Sequence, residues 1–277
     1  MNINKVSAFS YENSGGNPAG VLITEKMLSE EKMLEIAKEV NYSETAFLVK
    51  KEDNKFRIRY FSPEMEIEFC GHATIASGYI LANNFGLGSY ELELNKGIIT
   101  IDSNLKNNEI ITSINSLNTK TEDLNDEVID SFLDLFNFTK NDLDSKYPIR
   151  NSFSGNNHLI IFVKEKKSLE NMKYDFEKAK ELTRLHNIVT ISILYCENEN
   201  VYHSRNPFAY GGVYEDPATG SAGIALAEYL RDTKIKTSGE IEILQGFDMG
   251  MPSKLNVEYS DIPNSSIKIS GESRIID

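Results

Sequence analysis

The sequence contains two similar stretches that decide its fold, GHATIA at residues 71–76 and GSAGIA at residues 220–225. Upstream of each stretch, a glycine-led turn precedes an apolar run, at residues 16–23 and at residues 155–163. The spacing between turn and small-residue stretch is similar in the two halves. A repeat of this kind indicates two related domains, each with one helix that starts on small residues. Chance resemblance between two small-residue helices is the alternative.

Short strand patterns alternate with a few helix patterns in both halves of the chain. Strands are predicted at residues 6–9, 19–23, 45–49, 56–60, 65–69, 90–94, 98–101, 110–114, 158–163, 191–196, 201–204, 241–244, 255–259 and 267–269. Helices are predicted after Ser29, from the two small-residue stretches, and over residues 128–136 and 176–185. The strands have a mostly antiparallel character, so we predict an α+β fold and not a doubly wound one.

A polar stretch rich in Asn and Asp, residues 115–125, is the predicted linker between the two domains. The N-terminal domain is predicted over residues 1–115, completed by the C-terminal segment 266–277. The C-terminal domain is predicted over residues 116–265.

Composition excludes several classes of protein. The 277 residues include 29 Lys and Arg and 42 Asp and Glu, which gives a net charge of −13. The sequence contains no basic stripe, so binding to nucleic acid is disfavoured. No apolar run approaches the roughly 18 residues that span a bilayer. The two cysteines and four histidines fall at no metal-ligand spacing, which indicates a reducing compartment and no metal site. We expect a cytoplasmic globular protein that binds neither nucleic acid nor membrane.

Both predicted helix starts have the chemistry of an anion site. Small side chains at Gly71, Ala73, Gly220 and Ser221 would let a ligand approach the backbone N–H groups of a first helical turn. In a chain this acidic, an anionic substrate needs such local donors. Tight packing of a helix on a sheet also favours small residues, and this is the alternative for each stretch taken alone.

Three polar side chains stand near these starts. Glu44 lies at the mouth of a buried strand, where it is either a turn residue or a base in a desolvated place. His72 is in the first turn of its helix, beside Cys70, and a lone histidine is more often structural. Asp216 precedes the second helix, where it either caps the helix or contacts substrate.

Several motifs in order and spacing give the chain a family resemblance. They are GNPAGVL at residues 16–22, SETAF at 43–47, RYFSP at 59–63, CGHAT at 70–74, EDPATGSA at 215–222, and Gln245-Gly246. Over essentially its whole length the chain resembles the phenazine-biosynthesis (PhzF-like) isomerases, which share the diaminopimelate epimerase fold.

The resemblance implies two pseudo-symmetric domains, each a curled, mostly antiparallel sheet around a central helix, with the active site in the cleft between them. It implies that Glu44 is the acid/base residue and that His72, Asp216 and Ser221 surround the substrate. It also implies a homodimer that uses neither a metal nor an organic cofactor.

Two departures from the related patterns limit what the resemblance implies. The epimerase branch uses one cysteine ahead of each helix start. In this chain Cys70 occupies the first of these two positions and Pro217 occupies the second. This argues against a two-thiol mechanism, and we interpret Cys70 as a small packed residue. The family usually has Met-Gly-Arg after Gln-Gly, where this chain has Met251 in place of the arginine. An anion contact from that loop is therefore in doubt.

The sequence therefore predicts an isomerase in which Glu44 moves a proton on a small, carboxylate-bearing metabolite. A serine hydrolase built from Ser221, His72 and Asp216 is a weaker alternative, because the G-x-S-x-G elbow is missing. A catalytically degenerate member that only binds a metabolite or a protein is the other alternative.

Overall fold

The computed structural model describes residues 3–116 and 118–277. The chain folds into two compact units, Met1–Asn115 with Ser270–Asp277, and Ser116–Ile269. The domains inferred from the sequence, residues 1–115 with 266–277 and residues 116–265, stay a prediction about where folding domains begin and end.

The secondary structure mixes strands and helices in both units. The strands are β1 Asn4–Ser10, β2 Asn17–Thr24, β3 Glu44–Glu52, β4 Lys55–Phe61, β5 Glu66–Ile67, β6 Gly88–Leu94, β7 Gly97–Lys106, β8 Glu109–Asn115, β9 Lys120–Asp123, β10 Arg150–Phe153, β11 Asn157–Phe162, β12 Thr190–Asn198, β13 Val201–Arg205, β14 Pro207–Phe208, β15 Val213–Glu215, β16 Gly239–Gln245, β17 Ser253–Tyr259 and β18 Lys268–Ile275. The helices are α1 Glu30–Val40, α2 Gly71–Phe85, α3 Asp126–Phe136, α4 Lys166–Glu170, α5 Phe176–Leu185 and α6 Gly220–Asp232, with short 3-10 turns at Ala209–Gly211 and Phe247–Met249. The predicted α+β class is confirmed.

The predicted duplication is visible in the pairing of the strands. In the first unit β1 pairs antiparallel with β2, β2 parallel with β3, β3 antiparallel with β4, β4 parallel with β6, and β6 antiparallel with β7. In the second unit β10, β11, β12, β13, β16 and β17 repeat that series of pairings in the same order. Each long helix, α2 or α6, comes directly before the fifth strand of its series.

Each unit curls its sheet around one central helix. Helix α2 packs against β1, β2, β3, β7 and β8, and almost all its residues from His72 to Ala82 are buried. Helix α6 packs against β9, β10, β11 and β17 and is similarly buried. A helix that is apolar or small on all sides belongs in a core and not on a surface. In the first unit β18 pairs antiparallel with β1 and continues the curl.

The outer helices follow their sequence patterns. The side chain of Ser29 accepts a hydrogen bond from the Lys32 N–H and caps α1, as predicted, and Met33, Ile36 and Ala37 are buried. In the second unit the predicted inward residues of α3, Phe132 among them, lie in the hydrophobic core.

The predicted linker at residues 115–125 is in part a strand. Its central residues form β9, which pairs with β10, and the hydroxyl of the buried Thr119 donates to Glu228. β9 is the last strand in the order of the sheet, and most of its side chains are exposed. The polar composition of such an edge strand resembles that of a linker, which is why the sequence pattern did not predict it. Leu117 lies outside the described residues.

The predicted strand at residues 65–69 is shorter than expected. Only Glu66–Ile67 pairs with β4, and Met65 and Phe69 are 60% and 44% exposed. The alternating pattern is interrupted by a turn before it and a helix after it. The Ser62 hydroxyl accepts from the Met65 N–H at 3.1 Å, and α2 begins directly after Cys70.

A helix that crosses a membrane needs about 20 consecutive, predominantly apolar residues. No helix among the described residues combines the necessary length with the necessary apolar character.

Candidate active site

The structure places Glu44, Cys70 and His72 together in the first unit. Glu44 is the first residue of β3, while Cys70 and His72 occupy the N-cap and second positions of α2. The Nε2 atom of His72 lies 3.4 Å from a Glu44 carboxylate oxygen, and its Nδ1 atom lies 3.4 Å from the Cys70 Sγ atom. The side chains of Glu44 and His72 are 19% and 10% exposed. A carboxylate that is still reachable therefore lies beside a nearly buried imidazole.

The residues under this cluster are neutral and well packed. The Tyr60 hydroxyl is 2.7 Å from the Thr74 hydroxyl, which donates in turn to the Cys70 carbonyl at 2.7 Å. Burial raises the pKa of Tyr60 far above its usual value, so this phenol stays protonated. Tyr60 is therefore a neutral hydrogen-bonding partner beneath the cluster.

The N-termini of α2 and α6 differ from those of α1, α3 and α5. Helices α1, α3 and α5 have side-chain caps from Ser29, Asn125 and Asp175. For α2 and α6, by contrast, no capping side chain is found among residues 3–116 and 118–277, and neither first turn contains an acidic residue. First-turn N–H groups have no partner inside their own helix and carry partial positive charge. Within the described residues, the starts of the two central helices therefore lack the side-chain caps and first-turn acidic residues of α1, α3 and α5.

Gly71 shows that packing does not account for every small residue at this helix start. A Cβ atom built on Gly71 would meet no heavy atom of the described chain within 4 Å, and the residue has ordinary helical backbone. At Gly78, in the same helix, a Cβ atom would lie 2.4 Å from the Thr112 Cγ2 atom. Packing thus requires glycine at residue 78, whereas at residue 71 glycine leaves open space. Ala73 is fully buried, and its predicted contact with substrate stays a prediction.

Asp216 is held in a polar network in the second unit. Its N–H donates to the Asn206 carbonyl at 3.1 Å, and its own carbonyl accepts from the Gln245 side chain at 2.7 Å. One carboxylate oxygen accepts from the Thr219 hydroxyl. Thr219, and not Asp216, is the N-cap residue of α6, and the role of Asp216 at this helix start stays a prediction.

Buried residues that the sequence analysis did not single out support this network. Arg205 donates from Nε and Nη2 to the two oxygens of Glu215, the residue before Asp216, at 3.1 and 2.6 Å. The Asn206 side chain donates to the Thr219 hydroxyl at 2.6 Å. These partners are separated by 10 and 13 positions in the chain. No local pattern could identify them, although Arg205 follows directly on a predicted strand.

The other predicted contacts of the second unit lie at the start of α6. Gly220 and Ser221 are its first two residues; Gly220 is buried and Ser221 is partly exposed. The Ser221 carbonyl accepts from the Ser154 hydroxyl at 2.5 Å. The roles of these residues in substrate binding stay predictions.

The loop after Gln245 is closed by backbone contacts. Gly246 has a φ of +78°, and a Cβ atom there would lie 2.3 Å from the Met251 carbonyl oxygen and 2.8 Å from that of Pro217. Met251, which replaces the arginine usual in this family, is partly buried. It contributes no charge that could hold an anion.

Comparison with known proteins supports the family resemblance. The family model described as phenazine biosynthesis-like protein, PhzC-PhzF, matches residues 6–276. An uncharacterized isomerase of Clostridium acetobutylicum is 27% identical, with 99% of this chain and 96% of the relative aligned. The uncharacterized isomerase YddE of Escherichia coli is 30% identical over 81% of this chain and 77% of its own.

Solved structures show the same relationship. The Bacillus anthracis phenazine biosynthesis protein of the PhzF family has a TM-score of 0.88 and 26% identity, covering 99% of this chain and 96% of that one. A probable proline racemase from Agrobacterium radiobacter, covering 99% and 90%, has a TM-score of 0.66 at 9% identity, which shows the fold alone.

The fold and these relatives define the chain as an isomerase with the architecture common to PhzF-family proteins and proline racemases. Within that class, it belongs to the phenazine biosynthesis-like PhzC-PhzF family.

Proposed function

We propose that this isomerase moves a proton between two carbons of a small, carboxylate-bearing substrate, with Glu44 as the acid/base and no cofactor. The observation that carries the proposal is the placement of Glu44. Its partly exposed carboxylate lies 3.4 Å from the imidazole of His72, at a helix start that is uncapped and has open space at Gly71.

The proposed step is a balanced isomerisation. The Glu44 carboxylate takes a proton from a substrate carbon, and the electron pair of that C–H bond moves into the adjacent unsaturated system. Glu44 then returns the proton to a second carbon, which restores the carboxylate, and no oxidant or reductant is needed. Positioned acid–base groups of this kind contribute about 10²–10⁴-fold to the rate.

The N-terminus of α2 is the proposed site for the substrate carboxylate. The net charge of −13 opposes the approach of an anion, so binding depends on local donors such as the N–H groups of Gly71 and His72. The resemblance assigns Asp216, Gly220 and Ser221 to other polar groups of the substrate.

The contacts of His72 favour an isomerase over a serine hydrolase. Its ring nitrogens lie 3.4 Å from Ser43, Glu44 and Cys70. The hydrolase alternative has Ser221 as its nucleophile, and none of these three groups is the Ser221 hydroxyl. A pair of catalytic thiols is also disfavoured, because Pro217 stands where the second cysteine would be. The homodimer and the cytoplasmic location belong to this proposal and rest on the resemblance and on the cysteine content.

The proposal is tested by exchange with solvent. Small carboxylates that raise the melting temperature of the protein are incubated with it in deuterated water, and deuterium bound to carbon is measured. We expect incorporation by the wild type and a loss of about 10²-fold or more in Glu44→Gln. Glu52→Gln is the matched control, since Glu52 lies on the same strand and its side chain is 72% exposed.

Two results would contradict the proposal. Equal incorporation by the wild type and Glu44→Gln would remove Glu44 from the chemistry. Stabilisation by a ligand with no exchange in the wild type would instead support a member of the family that only binds its metabolite.

A further inference from the structure

Three side chains at the start of α2 and β3 are of types that bind metal ions. One carboxylate oxygen of Glu44, the Cys70 Sγ atom and a ring nitrogen of His72 all lie within 4.8 Å of one another. No histidine spacing in the sequence indicated a metal site, because Glu44 approaches the other two only in the folded chain.

The three donor atoms are close to the separations found in a tetrahedral zinc site, all lying within 4.8 Å of one another. Bonds of about 2.0–2.3 Å to nitrogen, oxygen and sulfur place neighbouring ligand atoms about 3.3–3.6 Å apart. The Nε2 atom of His72 is 3.4 Å from the Glu44 oxygen and 3.9 Å from the Cys70 Sγ atom. The Cys70 Sγ atom is nearer to Nδ1, at 3.4 Å, so a rotation of the His72 or Cys70 side chain brings the three groups onto one ion.

The main chain that carries the three ligands belongs to the core of the first unit. Cys70 and His72 are both 8% exposed and lie at the start of the buried helix α2. Glu44 is the first residue of β3, next to the fully buried Thr45. Ligands held by a core lose little freedom on binding, which favours tight association. The Ser43 hydroxyl, 3.4 Å from His72 Nε2, is a further oxygen beside the three ligands.

The types of the three donor atoms indicate which metal ion the site prefers. One thiolate, one imidazole and one carboxylate suit Zn²⁺, whereas Mg²⁺ and Ca²⁺ prefer sites made of oxygen alone. We infer that Glu44, Cys70 and His72 bind one Zn²⁺ ion per chain and that the bound ion inhibits the enzyme. When Cys70 binds the ion, its thiol releases a proton to solvent. The Glu44 oxygen that would accept the substrate proton is then bound to the metal and is no longer available as a base. The inhibition rests on the proposed function, whereas the binding rests on the geometry of the three ligands alone.

Cobalt gives a test of binding that needs no activity. Co²⁺ is added to the metal-free chain under a phosphine reductant, and the thiolate-to-cobalt charge-transfer absorption is recorded. We expect one equivalent to bind, and Zn²⁺ to abolish the band. Cys70→Ser should lose the band entirely, and His72→Ala and Glu44→Gln should bind at least about tenfold more weakly. Circular dichroism confirms that each variant is folded.

The second cysteine is the matched control. Cys196 is partly exposed in β12, and Cys196→Ser should keep the full band. A wild-type chain without the band, or a band that disappears in Cys196→Ser and not in Cys70→Ser, would overturn the site.

Deuterium exchange separates zinc binding from the proposed function. One equivalent of Zn²⁺ should suppress exchange, and a chelator should restore it. A cobalt band in a chain that performs no exchange would leave the metal site intact and refute the proposed function. Exchange that continues with Zn²⁺ bound would refute the inhibition.

Discussion

Two glycines of α2 separate a structural role from a functional one. Gly78 is forced by packing, because a methyl group there would lie 2.4 Å from the Cγ2 atom of Thr112, a stiff β-branched residue. Gly71 has helical backbone and open space at its Cβ position. Alanine is a better helix former than glycine, so the fold itself would tolerate alanine at residue 71. We attribute Gly71 to close approach of the substrate to the helix N-terminus.

Gly71→Ala is therefore expected to impair catalysis and to leave the fold intact. Its free energy of unfolding should stay the same or rise by up to about 1 kcal/mol. Its exchange activity should fall by about 10²-fold, since a displaced substrate is no longer aligned with Glu44. Urea denaturation and the exchange assay measure the two effects on the same sample.

Gly78→Ala is the opposite case and serves as the comparison. The added methyl group overpacks the core, so we expect a loss of about 1–3 kcal/mol in the free energy of unfolding. A destabilised Gly71→Ala with normal activity per folded molecule would show that residue 71 is also structural.

The individual site residues were predictable to different degrees. Glu44, His72 and Asp216 could be selected because each is a polar side chain next to a small-residue helix start or a buried strand. The contact between Glu44 and the Cys70–His72 pair could not, because it depends on how β3 lies beside α2. The supporting Arg205, paired with the buried Glu215, was missed for the same reason.

The elements were predicted best where side-chain burial alternates or repeats. Helix α5 has the predicted bounds, Phe176–Leu185, and the Ser29 cap of α1 is confirmed. Among the failures, β9 (KTED) and the unpredicted β10 (RNSF) are short and mostly polar, and β5 pairs over only two residues. Hydrophobic periodicity carries no information about such strands.

The pairing of β11 with β12 contains a histidine that must stay neutral. His158 is fully buried in β11, and its Nδ1 atom lies 2.7 Å from the hydroxyl of Thr190, its register partner in β12. Burial lowers the pKa of His158 to about 3. An unfolded histidine titrates near 6.5. Below about pH 6.5 the unfolded chain therefore binds a proton that the folded chain excludes, and stability falls as the pH falls towards 3.

Stability is accordingly expected to decrease in mild acid. Between pH 7 and pH 5, His158 alone should remove about 2 kcal/mol from the free energy of unfolding. The measurement is urea denaturation of the wild type and His158→Asn at both pH values. The free energy of unfolding of the wild type minus that of His158→Asn should be about 2 kcal/mol smaller at pH 5 than at pH 7. A difference in free energy that does not change with pH would refute the low pKa of His158.

At the scale of the whole chain, duplication is what made the fold predictable. The two small-residue stretches mark helices that are central in their own units, and the same series of strand pairings surrounds each. Chance resemblance is thereby excluded as the explanation. The two copies have diverged in chemistry. The first has Glu44, Cys70 and His72 at its helix start, and the second has Asp216 with Thr219.

We propose that Glu44 exchanges a proton with a substrate whose carboxylate is bound at the start of α2. A crystal structure of Glu44→Gln with a substrate identified by the exchange assay tests it most directly. We predict the substrate carboxylate within hydrogen-bond distance of the Gly71 and His72 N–H groups, and the labile carbon within about 3.5 Å of the residue 44 side chain. A substrate bound away from residue 44, or with its carboxylate pointing away from α2, would contradict the account.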